Sequence, residues 1–261
     1  IISKLEKPSA IVELEDIIKL SDGIMVARGD LGVECPLQTV PVLQKKIVNA
    51  CRKYARPVIV ATQMLESMIE KPTPTRAEVS DVATAVYDGA DAVMLSAETA
   101  AGKYPVEAVK MMNKIITQVE ADPLFFQYMK NLQSVSCCMG EADSITYAAS
   151  EISKVLKNVK AVVTYTSSGR TTFLVSRERP DIPIVAVTPN IKVARQLGLV
   201  WGARRFINES TFQSFDRFED VAKTVALASG AANKGDHIII TGGFPLGVKG
   251  RTNMLHTVYI D

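Results

Sequence analysis

The chain holds 261 residues, 47% of them hydrophobic and 22% charged, with a formal net charge of +2. Those proportions belong to an ordinary soluble globular protein of one to two domains. No apolar run approaches the ~20 residues that cross a bilayer, and so small a charge gives no basic patch, which excludes a membrane and nucleic acid as partners.

The chain opens in an apolar strand that ends at Lys4-Leu5-Glu6. A second strand, 23–27, leads to Arg28-Gly29-Asp30, a third, 57–61, to Thr62-Gln63-Met64, and a fourth, 92–95, to Ser96-Ala97-Glu98. Short continuous apolar runs fit strands buried on both faces of a parallel sheet. Amphipathic segments such as 41–54 and 79–88 separate them, and strand–helix alternation at roughly thirty-residue spacing argues for βαβ units. A doubly wound sheet would also fit. Four consecutive strand ends that all carry polar groups fit a (β/α) barrel better, because a barrel keeps its chemistry there. Lys4, Glu6 and Asp30 place one cation and two carboxylates at the ends of successive strands. Two carboxylates can hold a divalent metal, and the lysine beside them can face an anionic, phosphorylated substrate. Arg28 could contact phosphate, but ion pairs that brace its loop are the favoured reading.

A helix over 105–120 opens on Pro105. A poorly periodic stretch follows through Gly140, and a domain boundary falls there, dividing the chain into 1–118 and 119–261. Asp143-Ser144 then caps a helix running to about residue 156. Strands at 160–165, 182–187, 205–207, 237–241 and 254–260, with helices at 171–176, 191–197 and 218–228, make a second α/β set. Between the first of these strands and the next helix stand Thr166, Ser167, Ser168, Gly169, Arg170 and Thr171. Hydroxyls, a glycine and free helix N–H groups at such a junction suit an anionic group, and an ordinary hydroxyl-capped helix is the alternative. The four cysteines, Cys35, Cys51, Cys137 and Cys138, have no metal-ligand spacing and suggest a reducing, cytoplasmic compartment, with the adjacent pair as free thiols. His237 and His256 read as strand residues, and Trp201, Met64, Met68, Met111 and Met112 as packing.

Residues 1–10, Ile-Ile-Ser-Lys-Leu-Glu-Lys-Pro-Ser-Ala, resemble the active-site signature of the pyruvate kinases. Residues 22–32, 61–68, 72–78 and 94–100 resemble further motifs of that family, in the family's order. Leu5 stands where isoleucine is more usual and Ala97 where many members have glycine, and neither removes a functional group. The resemblance implies an α/β fold: the second half of a (β/α)8 barrel in 1–118, then a three-layer α/β C-terminal effector and assembly domain in 119–261. It also implies that the first half of the barrel, with the K+ ligands, lies outside this chain, and that the chain alone is inactive.

The activity implied is transfer of the phosphoryl group of phosphoenolpyruvate to ADP, giving pyruvate and ATP in glycolysis. Such transfer demands neutralisation of charge spread over the equatorial oxygens. Lys4 matches the family lysine that faces the phosphoryl group. Glu6 and Asp30 match the carboxylates that hold Mg2+ or Mn2+. Gly29 and Asp30 match the loop at the substrate carboxylate, and Thr62 a residue that binds that carboxylate beside the enolate carbon. A strand-end threonine that merely caps the next helix is the plainer reading of Thr62. Ser96 and Glu98 match a polar cluster implicated in proton delivery. The loop 166–171 and the run 242–252, with Lys249 and Arg251 as counter-charge, resemble the two halves of a site for a sugar-phosphate or nucleotide effector. A cytoplasmic homotetramer is the assembly implied. Two rivals remain: a metal-dependent barrel lyase acting on pyruvate or its enolate, and a non-catalytic phosphate-binding or assembly fragment.

Overall fold

The computed structural model describes residues 1–133, 140–207, 215–245 and 251–261. Its contacts divide the chain into two units, Ile1–Leu132 and Gln133–Asp261.

The first unit alternates strands and helices: β1 (Ile2–Leu5), α1 (Pro8–Val12), α2 (Leu14–Leu20), β2 (Gly23–Ala27), α3 (Arg28–Glu34), α4 (Val40–Lys53), β3 (Val58–Ala61), α5 (Arg76–Tyr87), β4 (Ala92–Met94), α6 (Ala97–Ala100), α7 (Pro105–Glu120) and α8 (Pro123–Gln133). The four strands pair in chain order and all in parallel. One sheet face, with Leu5, Ile24, Val26, Val58 and Val60, is buried against Leu14, Ile18, Ile47, Val48 and Cys51 of α2 and α4. Side chains alternate along a strand, so Lys4, Met25, Ile59 and Ala92, which share one register row, lie on the other face. Burial on both faces, expected of every strand, holds throughout only for β3; Ile2 in edge strand β1 is 43% exposed and all of edge strand β4 is half-buried.

Helix α7 buries Ala108, Met112, Ile115 and Val119, one stripe at helical spacing, which is why it lies flat on its neighbours. The stretch after it, read as irregular, contains α8. Pro123 supplies its first turn, where a missing N–H costs nothing, and Asp122 Oδ1 accepts the Leu124 N–H at 2.9 Å. Phe125 and Met129 are buried, and the Phe125 ring lies 6.0 Å from that of Tyr87, so α8 belongs to the first unit.

The second unit runs α9 (Glu141–Val155), β5 (Val159–Tyr165), α10 (Arg170–Arg177), β6 (Ile184–Thr188), α11 (Ile191–Gln196), β7 (Ala203–Ile207), α12 (Phe215–Ala228), β8 (His237–Gly242) and β9 (Met254–Tyr259). The sheet order is β7-β6-β5-β8-β9, with only β9 antiparallel. Val162, Ile184 and Ile239 pack towards Ala149 and Val175 of α9 and α10, while Ala161, Val163, Val185 and Ile240 pack towards Phe218, Ala222 and Ala226 of α12. Three layers result. The start of α9 differs from the expected Asp143-Ser144 cap: Gly140 is the cap residue, Ser144 Oγ donates back to its carbonyl, and Asp143 instead meets buried Arg177 at 2.6 Å. Cys137, Cys138 and Lys249 lie outside the described residues.

Candidate active site

All four strands of the first sheet deliver polar groups at or just past their ends, because a helix or turn starts soon after each strand stops. Lys4 projects from β1, and its Nζ donates to both Glu6 Oε1 and Asp30 Oδ2, the latter at 2.8 Å. Hydrogen bonds to Asp30 and then to Glu6 push the Lys4 pKa up, so the ammonium stays charged across the neutral range. Lys4 and Asp30 are about half exposed and Glu6 about a third, so they face solvent rather than the core. Asp30 sits in the first turn of α3, where a carboxylate is favoured by the helix dipole.

Thr62 follows β3 directly, and its hydroxyl meets the first turn of α3 rather than the helical turn that comes after it. Its Oγ1 donates to Ala61 O at 2.6 Å and accepts the Gly29 N–H at 2.8 Å, so the loops after β2 and β3 are joined at the two residues expected to meet a substrate carboxylate. Thr62 and Gln63 have φ of +71° and +53°. That left-handed region disfavours side chains with a Cβ, β-branched ones above all, and each such residue costs about 1–3 kcal/mol.

Arg28 meets this strained pair. Its Nε and Nη2 donate to Thr62 O at 3.2 and 2.8 Å, Nη2 also to Gln63 O at 3.0 Å, and the guanidinium pairs with Asp81 at 2.6 Å. Arg28 thus braces the loop, as read from the sequence. Its partners Asp81 and Gln44, on α5 and α4, went unnoticed because each lies within an amphipathic helix, where a polar residue reads as solvated surface.

Ser96 precedes α6 and Glu98 lies in its first turn. Glu98 is 2% exposed, and its oxygens accept the backbone N–H of Leu65 at 3.1 Å and of Ser96 at 2.8 Å. It ties the loop after β3 to the loop after β4.

In the second unit, paired β5 and β8 end side by side, with Thr164 in register with Thr241. The loops that follow them line one pocket, with Thr166, Ser167, Ser168, Arg170, Thr171 and Arg251 among its walls. Gly243 and Thr252, from the run 242–252, line it too, together with Tyr165 and Ala142. Thr171 Oγ1 and Thr252 Oγ1 are 2.7 Å apart, a buried hydroxyl bridge between the two walls. Gly169 opens α10 at φ +88°, with its N–H on Thr166 Oγ1. A Cβ on Gly243 would stand 2.5 Å from Arg251 O, so only glycine lets the second loop close on itself.

The sequence model of the pyruvate kinase barrel domain matches residues 1–109, and that of the pyruvate kinase alpha/beta domain matches residues 143–258. The chain belongs to the pyruvate kinase family. A pyruvate kinase of Agrobacterium vitis is 48% identical over 255 residues, which are 98% of this chain and 53% of that protein. One from Methylorubrum extorquens is 46% identical over 260 residues, 100% of this chain and 54% of its own. A crystal structure of a pyruvate kinase from Cryptosporidium parvum matches with a TM-score of 0.90 at 35% identity, covering 100% of this chain and 51% of that one. The chain therefore spans about half the length of the pyruvate kinases it matches. The four β/α units of the first part are those of the family's barrel, and the three-layer second part is its α/β domain. No helix among the described residues is long and apolar enough to cross a membrane.

Proposed function

We propose that this chain carries the phosphoryl-transfer side of a pyruvate kinase, which moves the phosphoryl group of phosphoenolpyruvate to ADP to give pyruvate and ATP. The observation that supports this best is the Lys4 ammonium held between Glu6 and Asp30, beside the Gly29–Thr62 hydrogen bond. A fixed cation with hydrogen-bonded loop groups suits an anionic substrate whose charge spreads during transfer. Lys4 faces the transferring phosphoryl group, while Gly29, Asp30 and Thr62 hold the carboxylate end of the substrate.

Two hard-oxygen carboxylates that converge on one cation are a donor set suited to Mg2+ or Mn2+, since Mg2+ is commonly held by one or two carboxylates plus substrate oxygens. Glu6 and Asp30 would hold it, and it would neutralise charge on the transferred group. K+ is the monovalent partner. Proton delivery to the enolate falls to the Thr62 and Ser96 ends of the loops. A lone hydroxyl is too weak an acid to do this unaided. Glu98, bonded on both oxygens to backbone, contributes by holding those loops in place. In the second unit, the hydroxyl-floored pocket with Arg170 and Arg251 at its edge is a site for a phosphorylated effector, a sugar phosphate or nucleotide. A cytoplasmic homotetramer is the assembly we assign to the whole enzyme.

The test uses a chimera in which this chain replaces the matching residues of the Methylorubrum extorquens relative, assayed for pyruvate formation from phosphoenolpyruvate and ADP. The chimera should turn over, and Lys4→Met should lower kcat by ~10²–10³ or more, since losing one preorganised electrostatic group typically costs that much. Exchange of pyruvate methyl protons with deuterated water should survive in part, because it needs the enolate machinery and not the phosphoryl group. Unchanged turnover in Lys4→Met sinks the assignment.

A further inference from the structure

We propose that Arg28 is a positioning residue for Thr62: its guanidinium clamps the backbone of Thr62 and Gln63 in the left-handed region and so aims the Thr62 hydroxyl at Gly29. The substrate consequence rests on the proposed function; the clamp itself rests on geometry alone. Thr62 and Gln63 have φ of +71° and +53°, two successive side-chain-bearing residues in a conformation that neither prefers. No glycine relieves them, so something outside their own backbone must hold them. The carbonyls of both residues converge on one guanidinium, through three hydrogen bonds of 2.8 to 3.2 Å. The Arg28 side chain is 10% exposed, and its two bonds to Thr62 O are part-buried, so water competes less for them than for the exposed bond to Gln63 O.

Asp81 completes the clamp from behind. It pairs with the same guanidinium at 2.6 Å and fixes the plane of the fork. An ammonium could not replace it, because a point charge on a flexible stem cannot present two aligned N–H groups to Thr62 O, a third contact to Gln63 O and an ion pair at once. Arg28 also precedes Gly29 directly, so one residue sets both ends of the Gly29–Thr62 bond. If Thr62 turned out of the left-handed region, its Oγ1 would leave the Gly29 N–H, and the two loops would part where the substrate carboxylate is proposed to bind.

The experiment reads that bond directly. Amide hydrogen exchange is followed residue by residue in this chain and in Arg28→Lys, which keeps the charge and loses the fork. Exchange at Gly29 should quicken at least tenfold, while exchange at Val26 and Val60, inside the strands, stays as it was. Arg28→Ala should behave likewise and recover part of the Gly29 protection when guanidinium ion is added at low millimolar concentration. Unchanged exchange at Gly29, or equal quickening at Val60, overturns the clamp. In parallel, phosphoenolpyruvate binding is titrated calorimetrically on the chain with Mg2+ present. Arg28→Lys should weaken it at least tenfold, and equal affinity in both proteins overturns the positioning role. If the unaltered chain, which spans about half of its relatives' length, binds no phosphoenolpyruvate, the clamp is decided by exchange alone and the functional reading by turnover of the chimera.

Discussion

Glu98 illustrates how a residue's surroundings reassign its role. Its type and its place after a strand suggest acid–base chemistry, yet both oxygens are taken by backbone donors from two different loops, and almost no water reaches it. Removing the carboxylate would strand the N–H groups of Leu65 and Ser96 in a buried setting, at about 1–3 kcal/mol for each group left unsatisfied. Glu98→Ala should therefore lower stability by ~2–6 kcal/mol in denaturant titration, while Glu98→Gln, which keeps one acceptor oxygen, should lose less than half of that. Equal losses in the two variants would mean that packing, not hydrogen bonding, sets the effect. Lys4 differs in kind: its partners are carboxylates in contact with solvent, and screening there leaves little stability to lose. Its expected effect is on chemistry.

At the scale of an element, the start of α5 is the best-secured helix end in the first unit. Thr75 Oγ1 accepts the Glu78 N–H at 3.2 Å, and Glu78 returns the bond to the Thr75 N–H at 2.7 Å, a reciprocal capping box. The same carboxylate also accepts from the N–H and hydroxyl of Ser67, both at 2.6 Å, and so fastens the short turn Glu66–Ile69 to the helix. Burial pushes the Glu78 pKa up, but the hydrogen bonds from Ser67 and Thr75 outweigh it and hold the pKa below the usual glutamate value. A carboxylate with a depressed folded pKa stabilises the fold above its unfolded pKa, and that contribution is lost as pH falls through the folded value. Glu78→Gln should therefore unfold at lower temperature than the parent at pH 7, by the equivalent of ~0.5–2 kcal/mol. The gap should close as pH drops into the acid range; a gap independent of pH would rule out the charge as its source. The capping signal at Thr75 and Glu78 was present in the sequence but lay just ahead of a segment read only from residue 79. Most strands of both units were legible as short apolar runs; β7, with Arg204 and Arg205, and β9, with His256 and Thr257, are more polar. Helix α8 was not, because its periodicity is brief and only Asp122-Pro123 marks its start. The candidate catalytic groups were legible through motif likeness and strand-end position. The Arg28–Asp81 pair was less so, because a contact between residues 53 apart is fixed by the fold and not by local pattern.

At the scale of the molecule, each unit keeps its polar groups at one end of its parallel strands, where strands stop and loops begin. In the second unit, the Thr171–Thr252 bridge links the loop after β5 to the residues that lead into β9. A phosphate bound there would gain a charge-assisted contact from Arg251, worth about 1.5–3 kcal/mol. Calorimetric titration of the chain with sugar phosphates and AMP at fixed ionic strength should detect binding of at least one, and Arg251→Ala should weaken it tenfold or more. Absence of heat with every ligand, or indifference to the arginine, would leave these loops as ordinary turns. The strand orders carry a further consequence, for the sequence of events during synthesis. In the first unit β2, β3 and β4 each pair with the strand made just before, so the sheet can grow one neighbour at a time as the chain emerges. The second sheet cannot grow that way. It begins at its centre with β5, extends outward to β6 and β7, and then returns to the other side for β8 and β9. Val258 and Ile260, made after the other strands of this sheet, are buried in the same core as Phe218 and Ile240. Until they arrive, β8 has an open edge and α12 an incomplete floor, and this unit stays exposed to mispairing longest.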